Sequence, residues 1–358
     1  MSDYENGTPA TSVYQLAREQ LQHEQFRWVI SGAAGFIGSN LLQTLLELGQ
    51  QVVGIDNFLT GHRHNLDQVR EQVGADAWRD FSLIEGDIRD LQACRSACDR
   101  ADYVLHQAAL GPAARSLAEP LLCHDINVSG YLNLLEAARL AGVRRVVYAA
   151  SAASYGDHPA LPKQEQHIGL ALSPYALSKY VDELYAGVYA RCYGLECIGL
   201  RYFNVFGPRQ DASDAHAAVI PQWVAAMLEG RQVVIHGDGE SSRDFCFVAN
   251  IVQANLLAAL SCRRAAINQV YNVALNTRTS LNELYLLLLE LLAERHPHLH
   301  DHRPTYGPFR PGDVRHSQAD ISKAVQLLGY APTHDLRRGL RQALRWYEQH
   351  LGDDLPQK

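Results

Sequence analysis

Apolar positions along this chain fall into two alternating rhythms. Arg27-Trp-Val-Ile-Ser31 is a short, nearly continuous apolar run, the pattern of a strand buried on both faces. From Phe36 to Leu48, Leu41, Leu42, Leu45 and Leu46 recur at helical spacing and point to one side. The alternation continues with strands predicted over Gln51–Ile55, Phe81–Ile84 and Tyr103–His106, then a helix over Leu121–Ala141 and a strand over Arg145–Ala149. A helix over Pro174–Tyr193 and a strand over Cys197–Arg201 close the series. Strands separated by helices require right-handed crossovers, hence an α/β fold: a doubly wound parallel sheet with helices on both faces.

Both ends depart from this rhythm. Residues 1–24 read as an extension with a short helix from Val13 to about Glu24, its Val13, Leu16, Ala17 and Leu21 on one side. After Asn204, prolines at 208, 221, 304, 308 and 311 punctuate short strands and loops around a Leu-rich helix, Ser280–Glu294. That stretch predicts a smaller α+β lobe, and a length of 358 residues suits two lobes. The expected division is 25–205, with a later contribution from about 245–275, for a nucleotide-binding domain. Residues 206–244 and 276–358 would form the substrate domain.

Composition narrows the function classes. A net charge of -7 disfavours broad nucleic-acid binding, which needs clustered cations to displace counterions. Seven scattered cysteines without a CxxC pair fit a reducing compartment better than a disulfide scaffold. No apolar run approaches the roughly 20 residues of a membrane span, and the N-terminus lacks the features of a signal peptide. A cytoplasmic protein is the expectation.

Gly32-Ala-Ala-Gly35-Phe-Ile-Gly38 follows the first strand and opens the first helix. A tight glycine turn lets backbone approach a pyrophosphate, whose charge meets the N–H groups of the helix start. Glycines serving only turn and packing are the bland alternative. Asp56-Asn57 ends the second strand, where a carboxylate would accept from adenosine ribose hydroxyls and repel a 2′-phosphate, favouring NAD over NADP. Asp56 could instead cap a turn. Asp87-Ile88 sits where an adenine amino group could be read, or Asp87 could simply start a helix. His106, taken alone, reads as a packed core histidine.

Ser173-Pro174-Tyr175-Ala-Leu-Ser-Lys179 carries the chemistry. Ser173 suits a helix cap and Pro174 the first helical position, which makes Tyr175 and Lys179 neighbours at i and i+4. A phenol ionises at roughly pH 10 in water and is a poor base at neutrality, but a nearby ammonium favours phenolate. Ser151, just past the strand Arg145–Ala149, lies where such sheets place their sites, and its hydroxyl could share the proton. A solvated Tyr/Lys pair and a loop-stabilising Ser are the competing readings. No metal-ligand cluster is readable; His296-Pro-His298-Leu-His300-Asp301-His302 reads as a solvated loop rather than a metal tract.

In this order the motifs resemble the extended short-chain dehydrogenase/reductases, a Rossmann-type family acting on nucleotide sugars. The resemblance spans about Trp28 to Tyr347. Longer phrases are similar to bacterial UDP-N-acetylglucosamine and UDP-N-acetylglucosaminuronic acid 4-epimerases of polysaccharide biosynthesis. They include Leu105-His-Gln-Ala-Ala-Leu-Gly111, Leu200-Arg-Tyr-Phe-Asn-Val-Phe-Gly207, Gly237-Asp-Gly-Glu-Ser-Ser-Arg-Asp-Phe-Cys246 and Gly312-Asp-Val-Arg-His-Ser317. The resemblance implies Ser151, Tyr175 and Lys179 as the catalytic set. It implies Gly32, Gly35, Phe36, Ile37, Gly38, Asp56, Asn57, Asp87, Ile88, Gln107 and Asn127, with Tyr175 and Lys179, around NAD. Arg115, Asn204, Val219, Arg243, Arg310, Asp313 and Ser317, with Ser151 and Tyr175, are implied around a UDP-sugar. The implied activity is 4-epimerisation of a UDP-N-acetylhexosamine or its uronic acid through a 4-keto sugar, by a homodimeric isomerase. Epimerisation of UDP-glucose and UDP-galactose is the alternative.

Two departures bear on the sugar. Ser151-Ala152-Ala153-Ser154 replaces a run of hydroxyl residues in the similar subgroup, and Gly111-Pro-Ala-Ala-Arg115-Ser116 is also less polar. Ala152 and Ala153 further speak against a dehydratase, which needs an acid there. A non-catalytic NAD-sensing scaffold on the same fold would be expected to have lost the Tyr/Lys pair. Ser317, where glucose-specific relatives carry a bulky Tyr, would leave room for an N-acetyl group; a plain helix cap is its competing role.

Overall fold

A computed structural model describes residues 11–111, 113–211, 218–309 and 314–350 of the chain. Seven strands form one sheet: β1 (Arg27–Ser31), β2 (Gln51–Asp56), β3 (Phe81–Glu85), β4 (Tyr103–His106), β5 (Arg145–Ser151), β6 (Glu196–Tyr202) and β7 (Val270–Val273). Their order is β7-β6-β5-β4-β1-β2-β3, and every pairing is parallel. The winding therefore reverses between β4 and β1. A crevice opens at the carboxyl ends of strands at such a reversal.

The main helices are α1 (Val13–His23), α2 (Phe36–Glu47), α3 (Arg63–Trp78), α4 (Leu91–Cys98), α5 (Tyr131–Ala141), α6 (Pro174–Tyr193), α7 (Val219–Leu228), α8 (Val248–Leu260), α9 (Leu281–Ala293) and α10 (Leu336–His350). One face of the sheet is covered by α1, α2, α3 and α8. Leu41, Leu42, Leu45 and Leu46 of α2 are buried there with Trp28 and Ile30. Full burial of each such aliphatic side chain stabilises by about 1.5–3 kcal/mol. The other face packs α4, α5 and α6 through Cys94, Leu134, Leu135, Ala138, Ala186 and Tyr189. A separate core joins α7, α9 and α10 around Trp223, Leu288, Leu340 and Tyr347. Short strand pairs lace it, among them Val234–His236 with Thr305–Gly307 and Ser242–Arg243 with Thr279–Ser280.

Where the sequence pattern and the fold differ, local chemistry gives the reason. The helix expected over Leu121–Ala141 is three pieces: Pro120–His124, a π turn over Asp125–Gly130, and α5. The wider π turn carries Asn127 at its centre, and π turns of this kind concentrate at functional sites. β5 runs to Ser151, two residues beyond the expected end, so Ser151 belongs to the strand itself and pairs with Tyr202. By contrast α6 has the predicted limits. Ser173 Oγ accepts from Ala176 N–H, Pro174 occupies the first turn, and Gly194 ends the helix at φ 71°.

Three histidines of the 296–302 loop bind separate partners. His296 pairs with Glu348 at 2.9 Å, His298 with the Met227 carbonyl at 3.2 Å, and His302 with the Tyr285 hydroxyl at 2.7 Å. Among the described residues no group of three metal-ligating side chains converges. His106 is a fully buried core histidine, bonded to Ser31 Oγ at 2.7 Å and stacked on Tyr131.

Candidate active site

The glycine turn lies where the winding reverses. Gly32 sits at φ 74°, and a Cβ there would stand 2.7 Å from the Ala108 backbone nitrogen, so the loops after β1 and β4 meet without room for a side chain. At Gly38 a Cβ would stand 2.0 Å from the Gly32 carbonyl oxygen, which makes glycine a steric requirement of the turn. Gly35 is the N-cap of α2 and brings no capping side chain. The first turn, with Phe36 and Ile37, thus keeps N–H groups available to an anion.

Asp56 is 8% exposed at the end of β2 and accepts from Ala34 N–H and Phe58 N–H, both at 2.8 Å. It both ties the glycine turn to β2 and shapes the turn that follows. Burial pushes its carboxyl up from the ordinary value, against the pull of those two N–H groups. Further lone pairs remain for a ribose hydroxyl. Asn57 donates to Asp87 at 2.6 Å, and Arg89 grips Asp87 at 2.8 Å, holding that carboxyl below its usual range. Helix α4 is capped by Asp90 instead, so Asp87 is not a helix cap. Ile88 is buried against Gly130 of the π turn and belongs to the core. Gln107 bridges Tyr202 and Asn255 at 3.2 and 3.3 Å.

Asn127 is completely buried and joins two parts of the site. Its amide accepts from Leu110 N–H at 2.7 Å, and donates to Leu110 C=O at 3.1 Å and to Ser178 Oγ at 3.0 Å. The loop after β4 is thereby locked to α6. A Cβ on Gly111 in that loop would touch the Tyr175 ring at 3.8 Å. Tyr175 itself is half-buried, and its backbone N–H donates to Ser116 Oγ at 3.1 Å. One turn along, Lys179 is 1% exposed and donates to Asp182 at 3.2 Å. Burial pushes the Asp182 carboxyl up to about 7 despite the Lys179 charge. At the end of β5, Ser151 Oγ accepts from Ala153 N–H at 3.1 Å, so it also caps the short turn beyond the strand.

The remaining positions divide. Arg115 forms an ion pair with Glu119 at 3.2 Å, and its neighbour Ser116, not Arg115, makes the direct bond to the Tyr175 backbone. Asn204 is exposed at φ 29°, and its carbonyl accepts from Cys246 N–H. Val219 opens α7 and packs on the core that joins α7, α9 and α10. Arg243 reaches the Arg315 carbonyl at 3.2 Å, while Ser317 N–H donates to the Ser242 carbonyl at 2.9 Å. Arg243 and Ser317 therefore share one strand junction. Arg310 and Asp313 lie outside the described residues. A cavity of about 370 Å³ lies between residues 156–163 and Val314–His316, bringing two separate sequence phrases together.

Three buried groups escaped the sequence reading. Asp182 is one; Ser178, which receives the Asn127 amide, is another. Asp244 is the third, accepting from Leu275 N–H and Ala319 N–H at 3.0 and 3.2 Å, with burial pushing its carboxyl up to about 6. Ser178 and Asp244 stand within motifs singled out for a neighbour and Asp182 lies just beyond one, but only tertiary packing shows their partners.

Comparison with known proteins gives this arrangement its context. A family described as "NAD dependent epimerase/dehydratase family" matches residues 28–274. A UDP-glucose 4-epimerase of Mycolicibacterium smegmatis is 34% identical over 323 residues, covering 90% of this chain and 98% of that protein. The structure of a Methanobrevibacter ruminantium UDP-N-acetylglucosamine 4-epimerase in complex with UDP-N-acetylmuramic acid superposes with a TM-score of 0.83 at 36% identity, over 91% of this chain and 99% of that one. A Thermotoga maritima UDP-glucose 4-epimerase with UDP-glucose gives 0.82 at 35%, over 91% and 99%.

Proposed function

This chain belongs to the NAD dependent epimerase/dehydratase family, and from that membership we propose that it interconverts the C4 epimers of a UDP-N-acetylhexosamine or of its uronic acid. In coarser terms it is an NAD-dependent UDP-sugar 4-epimerase, an isomerase. Bound NAD supplies the hydride acceptor and donor that the reaction needs.

The chain's own groups do the rest. The α2 turn with Gly32, Gly35 and Gly38 takes the pyrophosphate, and Asp56 the adenosine ribose. Tyr175 Oη removes the proton of the sugar 4-hydroxyl and later returns it, with Ser151 Oγ sharing it. Lys179 keeps a positive charge one turn away, favouring phenolate during the transfer. Arg243, with the segment leading to Ser317, holds the UDP end while the oxidised sugar presents its other face.

Ser317 carries the preference for an N-acetylated sugar. It is a small, half-buried residue whose N–H donates to the Ser242 carbonyl, and a serine there takes less room than an aromatic ring. Similarity to the Methanobrevibacter ruminantium UDP-N-acetylglucosamine enzyme supports the same reading. Similarity to the Thermotoga maritima enzyme supports UDP-glucose as the second reading. A kinetic comparison of UDP-GlcNAc, its uronic acid and UDP-glucose tests the choice. The proposal requires the highest kcat/KM on an N-acetylated sugar, and requires Ser317→Tyr to abolish that advantage. A wild-type preference for UDP-glucose would overturn it.

A further inference from the structure

Away from the residues of the candidate active site, a cavity of about 390 Å³ opens where α1, α2, α3, α8 and α10 meet. Its volume is in the range of small-molecule sites. The lining contains Arg18 and Arg209 but no aspartate or glutamate among the described residues.

Arg209 is the unusual group. It follows Pro208 with its backbone at φ 66°, a conformation L side chains seldom adopt, and it is 3% exposed. Its Nε donates to Ser39 Oγ at 3.0 Å and its Nη2 to Gln43 Oε1 at 2.9 Å, both neutral acceptors on α2. No carboxylate among the described residues pairs with it. Among the described residues, the acid whose charge acts on it, Glu47, is already bonded by Gln43 at 2.8 Å. Burial pulls the guanidinium down to about 10, the direction expected of a desolvated cation lacking a counter-charge. A buried ion without a partner is costly, and an anion in the cavity would offset that cost.

The surroundings share the same polarity. Arg18 comes from α1, its guanidinium over the Tyr14 ring. Burial and the Arg338 charge push the His334 imidazole down from its ordinary value, so it adds neither positive nor negative charge. Gln72 and Gln342 add neutral polar ends. Guanidinium forks match the paired oxygens of phosphate and carboxylate groups.

We propose that this cavity binds a small polyanion, a metabolite with at least two phosphate or carboxylate groups, using Arg209 and Arg18 as its charge partners. The occupant would rest against α2, the helix that the glycine turn opens.

The test is calorimetric titration of the NAD-loaded protein, saturated with UDP so that the substrate site is filled. Inorganic pyrophosphate and citrate in separate arms distinguish a phosphate from a carboxylate ligand. Saturable binding of at least one anion is expected, with Kd at or below about 1 mM. Arg209→Gln and Arg18→Glu should each weaken it at least about tenfold. Should Arg209→Gln fail to fold, Arg18→Glu and Gln342→Glu carry the test, since each adds a repelling carboxylate at the cavity. Absence of saturable binding by both anions overturns the proposal. So does binding that stays unchanged in the folded variants, because the anion would then sit on another surface.

Discussion

Lys179 and Asp182, one turn apart on α6, form an ion pair with an Nζ–Oδ2 separation of 3.2 Å and both side chains almost wholly removed from solvent. The second oxygen of Asp182 has no hydrogen-bond partner among the described residues. From Ser178 on the same helix, hydrogen bonds run to Asn127 and on to the Leu110 backbone, so the Tyr175–Lys179 face of α6 rests on a buried polar framework.

That burial has a pH signature. Asp182 is harder to ionise in the folded protein, at about 7, than in the unfolded chain, near its ordinary 3.8. Its contribution to stability is therefore fully present below about pH 4 and is lost as pH rises through about 7. Asp182→Asn should flatten that decline. Urea unfolding of both proteins at about pH 5 and about pH 7.5 measures it, and equal pH slopes would count against an Asp182 that ionises late.

Tyr175→Phe removes only the phenolic oxygen and leaves the backbone bond to Ser116 Oγ in place. Turnover should fall by about 10²–10⁴, the usual contribution of a positioned acid or base. NAD content and UDP-sugar affinity should stay close to wild type. A variant retaining most of its kcat would remove Tyr175 from the chemistry.

Asn127→Leu strands the Leu110 N–H and C=O, both satisfied by the Asn127 amide. Leaving two buried backbone groups unpaired should cost about 2–4 kcal/mol in urea unfolding. Activity should fall with it as the Leu110–Gly111 loop loosens beside Tyr175. Wild-type stability in this variant would mean that the loop is held by something else.

Gly38→Ala places a methyl into the Gly32 carbonyl, where the separation would be 2.0 Å. The turn must open, so NAD affinity should drop at least about tenfold. NAD released on denaturing the purified protein reports this directly. Wild-type NAD retention is the contrary result.

The sheet and the site were not equally legible in the sequence. Helix α6 was readable at its start because Ser173 and Pro174 mark it with distinct chemistry. Helix α8 was not, since Ile251, Val252, Leu256 and Leu257 are all buried and leave little polar face to set a period. Helix α3 carries few apolar residues and bends at Gly74, so its pattern is broken. The π turn is hidden because its extra width leaves Ile126 and Val128 buried like residues of an ordinary helix.

In the candidate site, Tyr175 and Lys179 could be paired from i, i+4 spacing alone. Asp182 could not, because an acid three residues from a lysine is usually a solvated partner rather than a buried one. The bonds from Asn127 to Leu110 span 17 residues and depend on how the loop after β4 folds back.

The most direct test of the account is incubation of the purified, NAD-containing protein with UDP-GlcNAc, followed by chromatographic or NMR analysis of the nucleotide sugars. The account predicts UDP-GalNAc, approaching the same equilibrium mixture from either epimer, with no net consumption of NAD. Failure to interconvert any UDP-hexose or UDP-uronic acid under these conditions would contradict it.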